Sequence, residues 1–305
     1  MKGGRGSMKK KRKIDWQLLC LLIPGVIWIV LFSYIPMTGL RMAFYNFNVF
    51  KGFEGSTFVG FDNFKTLFLG ADFPRALKNT LIIGVLQLCF TFPIPILLAI
   101  LITEVKNKCL SKITQTITFI PYFISTVTVV GIVINFLSPT TGVINLILNK
   151  FGFDSVYFIV KEQYFRPIYI VMTIWQNAGF NAIVYIAAIM GIDTALYEAA
   201  SVEGASRFKQ IIHITIPGIL PTIMVMLILQ LGSIIKVGYE AIMLLYQPST
   251  YNTADVIGTY TYRLGIMQNS FGLSTAAGLF ESVVALIMVV VANKISSKIT
   301  ESSIW

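Results

Sequence analysis

EAASVEGASRFKQIIHITIP, residues 198–217, is the stretch around which the 305-residue chain is organised. Just upstream, Asp193 or Thr194 can cap a short helix running to about Val202, because their side-chain oxygens accept from the free first-turn amides. Leu196, Ala199 and Ala200 then share one face at i, i+3 and i+4 spacing. Gly204 supplies a backbone break that a residue with a Cβ resists. A second short helix starts from Ser206, and Pro217 suits the first turn of the element that follows. The expectation is a compact helix–turn–helix with one face of small residues, which lets another surface approach closely. It is either a docking element or an ordinary connection along a membrane surface.

On both sides of this stretch the chain is strongly apolar. Hydrophobic residues make up 55% of it and charged residues 12%, against about 25% charged in soluble domains. With a mean hydropathy of +0.75, too few charges remain to cover a water-facing surface. The net charge of +10 does not indicate nucleic acid, because the cations flank apolar runs and do not share one soluble face. A membrane-spanning helix needs about 20 mostly apolar residues. Six runs qualify: residues 18–40, 80–102, 113–136, 168–190, 217–235 and 275–292. Prolines inside them (Pro24, Pro36, Pro93 and Pro95) are tolerated in a bundle, where neighbours re-satisfy the freed carbonyls. The predicted fold is an all-α membrane protein of six transmembrane helices. A basic tail covers residues 1–15, and a transmembrane domain covers 16–305 with the loop 191–216 inside it.

Lys and Arg set the orientation. Lys2, Arg5, Lys9, Lys10, Lys11, Arg12 and Lys13 hold the N-terminus in the cytoplasm. Six spans return the C-terminus, with Lys294 and Lys298, to the same side. The loop with Lys106, Lys108 and Lys112 is cytoplasmic too, as is 191–216 with Arg207 and Lys209. The first run is long and no small-residue cleavage site follows Ser33, so it reads as an uncleaved anchor and not as a signal peptide. The outer segments 41–79, 137–167 and 236–274 are long and rich in aromatics. They are expected to be ordered caps able to touch a partner. Cys20, Cys89 and Cys109 have no spacing that suggests disulfides or a metal site.

The loop resembles the signature of binding-protein-dependent ABC importer permeases, carried here by Glu198, Ala199, Ala200, Gly204, Ile214, Ile216 and Pro217. Ile216 stands where leucine is usual. FVGFDNFKTLF (58–68), ALKNTL (76–81), NAGFNAIVYIAAIMGID (177–193), KVGYEAIMLLYQPSTYNTADVIGTYTYRLG (236–265) and AAGLFESVVALIMVVVAN (276–293) look like the carbohydrate-uptake permeases. Within these they look like the larger-permease side of maltose transporters and the polysaccharide and complex-oligosaccharide branch. The resemblance implies the type I ABC importer permease fold in a bacterial cell membrane. It implies a heterodimer with a second permease, two ATP-binding subunits and an extracellular sugar-binding lipoprotein. Glu198 and Gly204 would shape an ATPase-docking element. Ala199, Ala200 and Ala205 would allow close contact, with Ile214 and Pro217 completing the motif.

No phosphate-binding G-x-x-x-x-G-K-[ST] loop occurs, so ATP and Mg are expected on the partner ATPase subunits and no cofactor on this chain. His213 is the sole histidine, and no catalytic set or metal cluster stands out, so the chain reads as a transport subunit and not an enzyme. Sugars are held by hydrogen-bonding groups and aromatic faces. Candidates for a sugar path are Gln87, Trp175, Asn177, Asn181, Tyr185 and Gln230, with Lys236, Tyr239 and Glu240 near the outer end of the fifth span. The alternative for each aromatic is an interfacial belt. Glu281, inside the sixth run, is either a buried contact to another helix or an acceptor in the path. Lys236 and Arg263 are either headgroup contacts or an electropositive entrance that favours uronic-acid oligosaccharides. An ion-coupled secondary transporter and an ABC permease for another small solute remain the rival readings.

Overall fold

The computed structural model describes residues 16–300; the basic tail assigned to 1–15 lies outside them. Among the described residues five helices are long and apolar enough to cross a membrane: Leu19–Phe44, Asp72–Glu104, Glu162–Met190, Arg207–Ser233 and Phe271–Lys294. A sixth span is a bent pair, Lys108–Phe123 and Thr126–Phe136, with 102° between its arms. The third apolar run is therefore not one straight helix. Pro121 lies in a 3-10 turn, Ile120–Phe123, and the Ser125 hydroxyl then accepts the Thr128 amide as the N-cap of a new helix.

Three prolines act in the same way within the other spans. π turns at Val30–Tyr34, Gln87–Thr91 and Ile211–Thr215 each end one residue before Ile35-Pro36, Phe92-Pro93 or Ile216-Pro217. A proline has no amide to donate, and its ring clashes with the carbonyl four residues back. One extra residue in the preceding turn moves that carbonyl aside, and the amide before each proline bonds five residues back, as Phe92 does to the Gln87 carbonyl at 3.0 Å. The helix continues where a strict α-ladder would break. The fifth span consequently begins at Arg207 and not at Pro217, since the second helix of the loop runs into it without interruption.

The second span packs on the fourth and the fifth on the sixth. Close approach comes from small residues: a Cβ at Gly179 would overlap the Thr118 carbonyl of the third span. The first span packs on the sixth only at its outer end, Thr38–Phe44, where Ala43 is buried. None of its apolar window is buried, whereas 39% of the fourth span's is.

One end of the bundle carries the three long connections, and all are ordered. Residues 45–58 form the only strand pairing among the described residues, an antiparallel hairpin of β1 (Tyr45–Asn48) and β2 (Gly52–Phe58) with Tyr45 opposite Phe58. Two apolar clusters sit under this cap. One gathers Ile83, Val129, Phe165, Met172, Ile242 and Val256, and the other Leu67, Phe73, Ile235, Ile257 and Ala276.

Polar side chains lock the cap. The Asp255 carboxylate is fully buried and accepts from Arg263 at 2.7 and 3.1 Å and from the Thr259 hydroxyl at 2.8 Å, with Arg75 3.7 Å away. Asn79 donates to the Asn252 and Asp255 carbonyls, both at 3.0 Å, and accepts from Arg166 at 2.9 Å. The hydrogen bond to Asp255 raises the Arg263 pKa further and fixes its charge. Arg263 is thus consumed by an internal ion pair and is not a free cation at an entrance.

The opposite end of the bundle is polar and compact. It holds the turn after Glu104, the loop 191–216 and a third cluster of Ala99, Ile102, Ala182, Tyr185 and Ile186. Arg207 donates to Glu104 across it at 2.8 Å.

A polar cavity at the broken span and a surface helical turn

The break in the third span opens beside the middle of two neighbouring spans. Gln87 lies near the centre of Asp72–Glu104, and Gln176 and Asn177 near the centre of Glu162–Met190. With the Tyr122–Thr126 break and Gly238, Glu240 and Ala241 they line a cavity of about 540 Å³. Tyr169, Thr173 and Asn177 repeat at i+4 on one face of the fourth span, which puts their polar groups on the same side. Non-helical backbone at this depth is stable only when its polar groups are partnered. Here Gln176 donates to the Ile124 carbonyl at the break, at 3.2 Å, and Gln87 donates to the Tyr169 hydroxyl at 3.4 Å. Tyr122 stacks flat on Phe180 with ring centroids 3.8 Å apart. The lining combines amides, hydroxyls and aromatic rings with one carboxylate, Glu240, and contains no Lys or Arg. Such a surface suits a hydroxyl-rich ligand with C–H faces.

Of the residues singled out in the sequence, Gln87, Asn177 and Glu240 meet in this cavity. Trp175 points the other way, into an apolar groove with Ile132, Phe136 and Val171. Asn181 is half-buried one turn beyond Asn177, and Tyr185, one turn further, is buried against Ala99 and Ile102. Gln230 is half-buried in the fifth span. Tyr239 is exposed and stacks on Tyr262 at 6.4 Å. Lys236 is exposed and its charge acts on half-buried Glu281, though the two close no ion pair.

Sequence reading missed Tyr122, Ser125, Thr126, Tyr169, Thr173 and Gln176. Pro121 followed by the Ser125–Thr128 capping pair, inside an apolar run, was the signal that could have located the break.

At the other end, the surface stretch folds as a helix–turn–helix. Thr194–Val202 is capped by Asp193, whose carboxylate accepts the Ala195 amide at 3.0 Å. Gly204, at φ +81°, reverses the chain. Its amide bonds the Ser201 carbonyl at 3.1 Å and the Ala205 amide bonds the Ala200 carbonyl at 2.9 Å, the paired bonds of a glycine helix stop. Ser206 then caps Arg207–Gln210. The Gln210 amide reaches back to the Ser201 hydroxyl at 3.0 Å, and the Tyr197 hydroxyl meets that of Thr215 at 2.9 Å. These bonds fix the two arms while leaving Glu198 and Ala199 exposed and Ala200, Ala205 and Ile214 half-buried; Pro217 is exposed. Leu196, Val202 and Phe208 are 53%, 91% and 70% exposed, an apolar rim around a notch of Glu198, Ser201, Gly204 and Gln210. His213 is exposed and bonds the Lys209 carbonyl.

Residues 73–301 match the family described as "Binding-protein-dependent transport system inner membrane component". The polygalacturonan/rhamnogalacturonan transport system permease protein YteP of Bacillus subtilis (strain 168) is 41% identical over 288 residues, covering 94% of this chain and 90% of that protein. Protein LplB of the same organism is 39% identical over 303 residues, 99% of this chain and 95% of its own. Among solved structures, a chain of a bacterial ABC transporter involved in the import of the acidic polysaccharide alginate superposes with a TM-score of 0.88. It is 52% identical and covers 94% of this chain and 96% of its own. A second structure, of a bacterial alginate ABC transporter in complex with an alginate pentasaccharide-bound periplasmic protein, has a TM-score of 0.89 and 51% identity, with 97% and 99% covered. With its spans, broken third helix and surface turn matched over nearly the whole chain, this protein belongs to the family of binding-protein-dependent transport system inner membrane components, the permease subunits of ABC importers.

Proposed function

We propose that this permease passes oligosaccharides derived from complex, acidic polysaccharides through a bacterial cell membrane. The observation that carries this reading is the mid-span cavity at Gln87, Ser125, Thr173, Gln176 and Asn177, with Tyr122 and Phe123 at the break. It offers hydrogen-bonding groups for sugar hydroxyls and rings for C–H faces, in a place where a helix break is tolerated only beside polar partners. The acidic character of the substrate rests on the relatives, two of whose described cargoes are polyuronides. In this chain the cavity has no cation, so a sugar carboxylate would be met by amides and hydroxyls.

An extracellular sugar-binding lipoprotein delivers the sugar to the ordered cap. A second permease completes the path. The first span's apolar window, which its own bundle leaves uncovered, supports such a neighbour in the membrane. Both termini and the loop 191–216 face the cytoplasm, in keeping with the basic segments. There Glu198, Ala199, Ala200, Gly204, Ala205, Ile214 and Pro217 form the element that docks on two ATP-binding subunits, which carry ATP and Mg. This chain binds no cofactor and has no ATPase site. The test is uptake in a deletion strain across acidic and neutral oligosaccharides of equal length. Restoration of acidic-oligosaccharide uptake by the native chain, and its loss with Gln176→Ala/Asn177→Ala, is the expected result. Uptake unchanged by that double variant would remove the cavity from the path.

A further inference from the structure

We infer that the cavity behind the surface turn binds one anionic phospholipid, with its phosphate among three lysines and an acyl chain on an apolar floor. About 630 Å³ of space lies between the turn that follows the second span and the helix Thr194–Val202. Its floor includes Ile102, Ile186 and Met190, and Lys106, Lys108 and Lys112 line its edge. None of these lysines takes part in an ion pair among the described residues. Glu104, the carboxylate in the lining, is held by Arg207 at 2.8 Å.

Lys108 also opens the helix Lys108–Phe119, whose first turn contains no acid, and Lys112 follows one turn later. Cations at a helix N-terminus oppose its dipole. The Asn107 side chain caps this end by accepting the Cys109 and Leu110 amides, but it brings no negative charge to offset the lysines, which an outside anion would. Along the same helix Leu110, Ile113 and Ile117 are 53%, 49% and 63% exposed. Their i, i+3, i+7 spacing forms an apolar stripe turned to the hydrocarbon. The lysines at its start therefore sit at headgroup depth, where their stems lie along lipid and their charges reach the phosphates. The apolar floor favours a lipid over a free phosphate, which could use only the lysines. Thr194 and Tyr197 form the opposite wall, so the lipid packs behind the docking helix and holds it away from the Lys106 turn.

The test uses the transporter as purified in detergent, with native mass spectrometry after addition of phosphatidylglycerol or phosphatidylcholine of matched chains. The native protein should retain phosphatidylglycerol preferentially. The triple variant Lys106→Gln/Lys108→Gln/Lys112→Gln should lose on the order of 100-fold in that preference, at about fivefold per basic residue. The corresponding triple arginine variant should keep it, which separates charge from misfolding. Equal retention of both lipids by the native protein, or undiminished phosphatidylglycerol binding by the glutamine variant, would overturn the proposal. So would displacement by millimolar inorganic phosphate regardless of acyl length, which marks a phosphate site. Loss of the ATP-binding subunits from the glutamine variant with lipid binding intact would assign the lysines to a protein partner and also overturn it.

Discussion

Replacing Gly204 tests the surface turn through two variants with different costs. At φ +81° the backbone is in the left-handed region, which costs a residue with a Cβ roughly 1–2 kcal/mol. A Cβ at this position meets nothing within 4 Å, and alanine also reduces the freedom of the unfolded chain by about 0.4–1 kcal/mol. Gly204→Ala should therefore cost about 1 kcal/mol and leave the turn in place. Gly204→Pro cannot hold a positive φ, and it deletes the amide that bonds Ser201 at 3.1 Å, a loss of about 3 kcal/mol or more. The arms are tied down at Glu104–Arg207 and Tyr197–Thr215, so this strain falls on the turn and re-aims Thr194–Val202 while the spans remain inserted. The assay is ATP hydrolysis by the assembled transporter with and without sugar-loaded binding protein, with membrane insertion measured in parallel. The alanine variant should keep most of the stimulation, and the proline variant should insert normally but lose stimulation and uptake. Normal stimulation in an inserted proline variant would refute the docking role of the turn.

Three further outcomes are expected. Asp255→Asn leaves the half-buried Arg263 guanidinium without its counter-charge, which costs about 3 kcal/mol, the low end for a buried pair. Thermal unfolding should shift downward, and Asp255→Asn/Arg263→Gln should be less destabilised than the single variant. The purified chain alone should show no saturable ATP binding at micromolar concentrations, measured by equilibrium titration, because it has no phosphate loop. Glu281→Gln should leave uptake and its pH profile largely unchanged, since the amide preserves shape and one acceptor. Loss of uptake with intact assembly would instead point to proton coupling.

Much of the architecture was legible because lipid imposes a simple rule. A helix must be apolar for about 20 residues, and the apolar runs therefore revealed all the spans. Their ends were less legible. The second and fourth spans extend outward to Asp72 and Glu162, where polar residues such as Arg75, Asn79 and Arg166 are held by the cap segment around Asp255. The long-range bonds that make such residues helical lie in segments nearly a hundred or more positions away. The surface turn was readable in detail because its signals are local: Asp193 and Ser206 as caps and Gly204 as the stop. Pro217 was misleading, because the π turn before it carries the helix through. The cavity was read only in part. Asn177 and Gln87 stood out as polar groups in apolar runs, yet Gln87 opens the π turn before Pro93, which shifts helical phase, and what gathers the two in one cavity is the break at Ser125. Trp175 shares a helix with Asn177 but ends on another face, and Tyr185, two turns beyond Asn177, is buried among Ala99 and Ile102 toward the opposite end of the bundle. Arg263 looked like an entrance cation because Asp255, eight positions earlier, gave no sign that it would be buried beneath it.

The most direct test of the account is ATP-dependent accumulation in proteoliposomes containing this chain, the second permease and the ATP-binding subunits. Radiolabelled acidic oligosaccharide is offered with and without its binding protein. The account predicts accumulation that requires ATP, the binding protein and this chain together. It also predicts that accumulation is abolished by Gly204→Pro and strongly reduced by Gln176→Ala/Asn177→Ala. Accumulation driven by an ion gradient without ATP, or ATP-driven transport that persists when this chain is omitted, would contradict it.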